Sequence, residues 1–357
     1  MANSRSSRNV SNAQNRRSPR YNSAPRADIA TAVTNRIIEQ MESGIIPWHK
    51  PWNSLKASND MAVNHVTGKP YSLLNQLLLG EPGEYLTFDR AIKEGGHVKH
   101  GAKARTVVFW KFLHKDQTDA NGNALLDDDG DPLDPMTIPY LKYINVFHIK
   151  DCEGVNPRFF KEDEESTDAV SAELAEKLDA AKAMETEYLI NNGISTYNNE
   201  SACYSPVHDW ILMPRKSSFD TPEAYHATLL HEMVHSTGHP TRLKRFDLNA
   251  SLAPFGSEDY SKEELVAEIG SACLMNTLGL ETPGTFRNST AYLQSWLKVF
   301  KDAVADGTDK YLLISAAGKA EKAARLISGI KEAEKLATDD TNDNANDNAN
   351  DNATEVA

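Results

Sequence analysis

The feature that most constrains this chain is the segment His-Glu-Met-Val-His at 231–235. His231 and His235 are four residues apart, so on a helix both imidazoles project from one face, one turn apart. This spacing lets two ring nitrogens reach a single metal ion. Glu232, between them, can accept a proton from the water that such a metal activates. The pattern predicts the metal-binding helix of a zinc-type metallopeptidase.

The flanking residues support a helix at this position. Thr221 is placed to cap a helix over 222–237, and Pro222 suits its first position. A further helix is predicted over 261–278, with Ser261 as its N-cap and Glu264 as a capping-box partner.

A catalytic zinc ion takes three protein ligands and keeps one position open. One peptidase class supplies a third histidine six residues after the second, where this chain has Thr241. The better candidates are Glu264 and Glu268, one turn apart on the helix over 261–278. We expect Glu264 to be the ligand and Glu268 to orient a ligating histidine, with the exchanged roles left open. The expected cofactor is Zn²⁺ or another divalent transition metal such as Mn²⁺.

The segment over 203–213 predicts an edge strand or hairpin beside the metal. Such a strand can pair with an extended peptide substrate. Tyr204 and His208 are candidates for stabilising an oxyanion, although residues of this kind are more often simple packing or surface residues.

Charge is distributed unevenly along this chain of 357 residues with a net charge of −13. Residues 1–27 carry six arginines and no acid, whereas 339–357 carry six acids and no base. Both ends have almost no large apolar residues, which predicts a disordered basic arm over 1–27 and a disordered acidic Asn/Asp tail over 337–357. The three cysteines form no Cys-x-x-Cys pair, and no apolar run has the length of a membrane span or a signal core. We therefore expect a cytoplasmic protein with no membrane partner.

Between the tails, the pattern indicates two domains joined by a polar linker. The first covers 28–162, the linker 163–170 and the second 171–336. The sequence predicts helices over 28–44, 72–79, 171–192, 289–305 and 315–335. It predicts strands over 106–110 and 143–149, separated by an acidic loop at 116–138.

The first domain mixes basic and aromatic side chains. Basic groups follow phosphates and aromatic faces stack unpaired bases, so this mixture favours binding of single-stranded nucleic acid. A basic surface over an ordinary aromatic core is the alternative. The candidate DNA-binding residues are Trp48, Lys50, Trp52, Lys69, Tyr71, Lys99, Lys103, Arg105 and Lys111.

Seven segments, in order along the chain, carry a resemblance to the ArdC antirestriction proteins. They are Ile-Pro-Trp-His-Lys-Pro-Trp (46–52), Gly-Lys-Pro-Tyr-Ser-Leu-Leu-Asn (68–75), Tyr-Leu-Thr-Phe (85–88), Gly-Gly-His-Val-Lys-His-Gly (95–101), Val-Val-Phe-Trp-Lys (107–111), Thr-Leu-Leu-His-Glu-Met-Val-His-Ser-Thr-Gly-His (228–239) and Glu-Glu-Leu-Val-Ala-Glu-Ile-Gly (263–270). The resemblance covers roughly 28–330.

This resemblance implies an α+β protein with two domains. The first would be a small mixed α/β domain that binds single-stranded DNA. The second would be a mostly helical zincin-like metallopeptidase domain with a small sheet. Family members are carried by conjugative plasmids and phages and are similar to the N-terminal part of plasmid TraC primases.

The implied role is protection of incoming DNA from host restriction. Two alternatives stay open. One is an active protease that is recruited by DNA and cleaves a host protein, such as a restriction enzyme. The other is a protein that binds single-stranded DNA and carries a vestigial zincin domain.

Overall fold

The computed structural model describes residues 28–49, 61–118, 124–125, 133, 135–159, 170–246, 258–281, 289–307, 311–330 and 354–355. The basic arm, most of the linker and nearly all of the acidic tail lie outside these residues, as does most of the acidic loop. Within the described parts, no helix is long and apolar enough to cross a membrane.

The first half is a mixed sheet with short helices. Its elements are α1 (Ile29–Glu42), β1 (Ala62–Asn64), α2 (Leu73–Leu79), β2 (Gly83–Leu86), α3 (Phe88–Lys93), β3 (His97–Val98), β4 (Arg105–Lys115), β5 (Met136–His148) and β6 (Cys152–Glu153). β1 runs parallel to β2, and β2 pairs antiparallel with the end of β5. β4 pairs antiparallel with β5 along its whole length, from Arg105↔Val146 to Lys115↔Met136. β3 and β6 form a separate small pair.

The second half is mostly helical. Its elements are α4 (Val170–Asn191), β7 (Ser195–Asn198), β8 (Cys203–Ser205), β9 (Trp210–Met213), α5 (Pro222–Ser236), α6 (Glu258–Leu278), α7 (Ser289–Asp306), α8 (Leu312–Ser328) and β10 (Thr354–Glu355). The sheet order β7-β9-β8 places β8 at one edge. α6 packs against both α5 and α8, while β10 pairs with β5 of the first half. The predicted α+β architecture is confirmed.

The largest apolar core joins the two halves. α1 packs against α7, and α2 packs against α8. The Trp48 ring meets Phe300 of α7 edge-on, with ring centroids 6.3 Å apart. A buried polar contact adds to this core: the Glu321 carboxylate on α8 accepts a hydrogen bond of 2.9 Å from the Leu73 amide, where α2 begins. Glu321 also pairs with Arg325 at 2.9 Å.

Most predicted elements are present, with three corrections. α6 begins at Glu258, so Ser261 lies inside the helix and its prediction as the N-cap is wrong. α8 ends at Ser328, where Gly329 adopts φ +66°, and not at residue 335. β4 extends to Lys115, the last residue before the predicted loop, and β5 begins at Met136, three residues inside that loop. Glu264 is therefore not a capping residue, and its carboxylate is available for other contacts.

Replacing Glu321 should loosen the junction between the halves. Glu321→Ala leaves the Leu73 amide and the Arg325 guanidinium without their shared acceptor, so we expect the free energy of unfolding to fall by about 1–3 kcal/mol. Lys322→Ala, an exposed change on the same helix, should stay within about 0.5 kcal/mol of the parent. Chemical denaturation measures both variants, and equal stabilities would contradict the assigned role of Glu321.

Candidate metal centre

α5 presents both histidines of the 231–235 segment on one face. The Thr221 hydroxyl accepts a hydrogen bond from the Ala224 amide at 3.2 Å, and Pro222 occupies the first turn, as predicted. The Nε2 atoms of His231 and His235 lie 3.2 Å apart. Their side chains are 21% and 13% exposed, so the pair is accessible but largely enclosed.

α6 brings a carboxylate to this histidine pair. A Cβ atom on Gly270 would lie 3.0 Å from both γ carbons of Val234, so the glycine allows α5 and α6 to approach closely. Glu264 Oε2 lies 3.4 Å from His231 Nε2, and Glu264 Oε1 lies 3.3 Å from His235 Nε2. Ligand atoms from the three residues lie within 4.8 Å of one another. The structure thus brings together the three predicted ligands.

The other nitrogen of each imidazole faces a further carboxylate. Glu268 Oε2 lies 3.6 Å from His231 Nδ1, and Glu263 Oε1 lies 3.4 Å from His235 Nδ1. Carboxylates behind metal-binding histidines fix the ring orientation and raise the basicity of the ligating nitrogen. The position of Glu268 fits the outer role expected for it, and Glu263 has the equivalent position behind His235.

Glu263 is held by Arg245, from the segment that follows α5. Arg245 Nη2 donates to Glu263 Oε1 at 2.7 Å, and Arg245 Nε donates to Oε2 at 3.0 Å. The same guanidinium donates to the Val234 carbonyl and the Thr237 hydroxyl, each at 2.8 Å. Sequence reasoning missed both residues. The adjacent acids Glu263 and Glu264 were the available signal, since two neighbouring helical carboxylates can each meet one imidazole nitrogen.

Burial and neighbouring charges shift the pKa values of several groups in the site. Burial alone would lower the pKa of His235, but hydrogen bonds and charges from Glu263 and Glu264 raise it to about 9. Burial acts to raise the pKa of Glu264, yet contacts with His231 and His235 lower it overall. Burial raises the pKa of Glu232 despite the two nearby histidines. Two imidazole nitrogens and a carboxylate are donors that divalent transition metals take, and a cation would balance the surrounding acids.

The strand β8 contacts the proposed general base. The Tyr204 backbone amide donates a hydrogen bond to the Glu232 carboxylate, which partly offsets the effect of burial on the pKa of Glu232. The Tyr204 hydroxyl donates to Asp209 Oδ1 at 2.7 Å, and Asp209 forms an ion pair with Arg242. Arg242 Nε donates to the Ser236 carbonyl at 2.7 Å. This network ties the β8–β9 turn to the end of α5.

These contacts bear on Tyr204 and His208, the two candidates for stabilising an oxyanion. The Tyr204 hydroxyl is engaged with Asp209 and Arg242, so the residue reaches Glu232 through its backbone instead. His208 is exposed and stacks on Trp210, with ring centroids 4.2 Å apart.

Two of the DNA-binding candidates have buried rings. Trp48 and Tyr71 are 2% and 3% exposed. Trp48 packs on Phe300, while the Tyr71 ring lies 6.3 Å from that of Tyr85. A ring enclosed in this way presents no face for a base, so the stacking prediction is wrong for these two in the described conformation.

The basic candidates differ in their surroundings. Arg105 forms an ion pair with Glu81, and Lys99 Nζ donates to the Lys150 carbonyl at 2.8 Å. Lys69 and Lys111 are half-buried and Lys103 is exposed. Lys50 and Trp52 lie outside the described residues.

Comparison with known proteins places these observations in a family. A model of the N-terminal domain of anti-restriction factor ArdC matches residues 27–147, and a zincin-like metallopeptidase model matches 184–319. The metal-free crystal structure of antirestriction protein ArdC from plasmid R388 is 32% identical, with a TM-score of 0.57, and covers 84% of this chain and 96% of that one. The chain belongs to the ArdC family. The Mn(II)-bound R388 ArdC structure matches at 31% identity with a TM-score of 0.57, over 85% of this chain and 97% of that one.

Two longer relatives match this chain over only a part of their own length. Two Escherichia coli proteins named DNA primase TraC are 35% and 32% identical over 301 and 290 residues. These matches cover 81% and 79% of this chain but 26% and 19% of the relatives. This ArdC-family chain thus corresponds to about a quarter or a fifth of those proteins.

Glu263 should tune metal affinity without touching the ion. Glu263→Gln keeps the shape of the side chain but removes the charge that His235 and Arg245 share, so we expect divalent-metal affinity to fall about 10- to 100-fold. Isothermal titration of the full chain with Mn²⁺ and Zn²⁺ measures this. Glu187→Gln, an exposed change on α4, is the matched control and should bind like the parent. Unchanged affinity in Glu263→Gln would show that Glu263 does not support the site.

Proposed function

We propose that this protein binds single-stranded DNA and protects incoming DNA of a mobile element from host restriction, with a C-terminal metal-dependent peptidase domain. The observation that carries the proposal is the similarity over nearly the whole length of the R388 antirestriction protein ArdC. The candidate metal centre adds to it, because His231, His235 and Glu264 converge beside Glu232.

The residues of the centre divide the chemistry of peptide hydrolysis between them. His231, His235 and Glu264 would hold the ion. When bound, a divalent cation supplies Lewis acidity, which polarises a peptide carbonyl and acidifies water. Glu232 has a buried carboxyl group with a raised pKa, so it is suited to take a proton from attacking water and return it to the departing amine. Zn²⁺ and Mn²⁺ both suit this donor set, and the Mn(II)-bound R388 structure supports a divalent ion.

The strand β8 supports a second candidate, an active protease that is recruited by DNA. β8 lies at one edge of its sheet, and its Tyr204 amide contacts Glu232. An extended peptide that paired with β8 would run beside the metal ligands. The substrate would then be a host protein, such as a restriction enzyme.

Glu232 separates these candidates. Glu232→Gln removes the proton acceptor but none of the three ligands, so we expect metal content to persist while hydrolysis falls by about 10²–10⁴-fold. Metal content is measured on the purified protein by mass spectrometry, and hydrolysis with fluorescein-labelled casein. Loss of the metal together with activity would contradict the separate role of Glu232.

The deciding experiment delivers an unmodified plasmid into a restricting recipient that expresses the parent protein or Glu232→Gln. We expect the parent to raise plasmid recovery. Full protection by Glu232→Gln would exclude peptidase chemistry as the mechanism and favour a binding protein with a vestigial zincin domain. If the parent neither protects the plasmid nor binds a single-stranded oligonucleotide, the proposed function is wrong.

A further inference from the structure

The β4–β5 pair forms a ribbon of unusual charge. β2 pairs with β5 only at Tyr85↔His148 and Leu86↔Phe147 among the described residues, so most of β4 and β5 continues beyond β2. None of the residues in either strand is acidic, although the whole chain has a net charge of −13. Each strand instead carries lysine. This acid-free ribbon therefore differs sharply from the rest of the protein.

The register sorts the ribbon into two faces. Directly opposed residues of an antiparallel pair share a face, and successive residues alternate between faces. Three opposed pairs on one face each join a lysine to an aromatic or apolar residue: Phe109↔Lys142, Lys111↔Tyr140 and Lys115↔Met136. We call this surface the lysine face. Along one strand, its neighbouring positions repeat about every 6.8 Å.

The lysine face is covered by other residues near Phe109 and exposed to solvent near Leu113 and Met136. Phe109 packs with the buried cluster that contains Tyr71 and Tyr85, with the Tyr71 and Phe109 rings 6.5 Å apart. Farther out, Leu113 and Met136 are 51% and 50% exposed. β10 pairs with the edge of β5, with Glu355 opposite Tyr140, so it extends the sheet sideways and brings one acidic residue into register with the lysine face. The outer face thus exposes apolar surface between lysines.

The opposite face of the ribbon has a different character. It carries Trp110 and Phe112, 44% and 59% exposed, and the Trp110 ring lies 6.4 Å from that of Tyr311 beside α8. No lysine of β4 or β5 belongs to this face in the register. Of the two faces, only the lysine face therefore combines lysines with exposed apolar surface.

We propose that single-stranded DNA lies along the lysine face. Lys111, Lys115 and Lys142 contact phosphates, while Tyr140 stacks a base. An open sheet face with interleaved basic and aromatic side chains matches the chemistry of an unpaired strand, whose bases expose their faces. The surface replaces the buried rings of Trp48 and Tyr71 as the stacking platform. The inference rests on the proposed function, since it names the surface that performs the DNA binding.

The test compares two triple variants of the full chain. Lys111→Ser/Lys115→Ser/Lys142→Ser alters the lysine face. Lys182→Ser/Lys298→Ser/Lys319→Ser removes the same charge from exposed positions on α4, α7 and α8 of the second half. Fluorescence anisotropy with labelled oligo-dT is measured over a range of salt concentrations. Three lost phosphate contacts should reduce the slope of log affinity against log salt by about 2. The control triple should keep the parent slope and affinity.

Tyr140 provides an independent arm. Tyr140→Ala should weaken oligo-dT binding by about 5- to 150-fold, because a stacked base is lost, whereas Tyr140→Phe should bind like the parent. Circular dichroism and thermal unfolding establish that each variant is folded. An unfolded Tyr140→Ala would leave the charge variants as the test, since Lys115 is exposed and Lys111 and Lys142 are half-buried.

The outcomes separate this inference from the proposed function. If the parent does not bind oligo-dT, the proposed DNA binding fails. If the parent binds but the lysine-face triple keeps the parent affinity and slope, or the control triple loses as much, the assigned surface is wrong while DNA binding stands. If the lysine-face triple loses equal affinity for a duplex of the same length, the surface recognises phosphate alone, which overturns its assignment to single strands.

Discussion

The close packing of α5 on α6 is the contact on which the candidate metal centre depends. Gly270 has no side chain and lies against the γ carbons of Val234, so the two helices approach closely at this point. The approach places Glu264 opposite both Nε2 atoms of the histidine pair. A Cβ atom at position 270 would already require the Val234 side chain to move by a few tenths of an ångström, and a larger side chain would move the two helices farther apart.

Around this contact, two arginines in the segment after α5 bind residues that support the candidate metal centre. Arg245 fixes Glu263 behind His235, and Arg242 binds Asp209 in the turn between β8 and β9. The Arg245 and Arg242 side chains are 7% and 4% exposed, so the guanidinium of each ion pair is buried. They act on different parts of the site. One orients an imidazole, and the other holds the strand whose amide contacts Glu232.

Residue spacing within single helices predicted much of this site. The residues that it missed depend on contacts between segments that are far apart in the sequence. Spacing within one helix was enough for His231, Glu232 and His235, and a second helix offered Glu264 and Glu268. The contribution of Arg245 depends on a chain path that no periodicity reveals. Trp48 was misread for the same reason, because its partner Phe300 lies about 250 residues further along the chain. The main elements of the fold followed from apolar spacing, but the start of α6 did not, since Ser261 mimics a cap inside the helix.

Anomalous diffraction from crystals grown with Mn²⁺ or Zn²⁺ would test the central claim most directly. We predict one strong peak at bonding distance, about 2.0–2.2 Å, from His231 Nε2, His235 Nε2 and a Glu264 oxygen. Glu263 and Glu268 should remain at the Nδ1 atoms. A peak bonded to Glu268 or Glu263 in place of Glu264, or no peak between α5 and α6, would contradict the account.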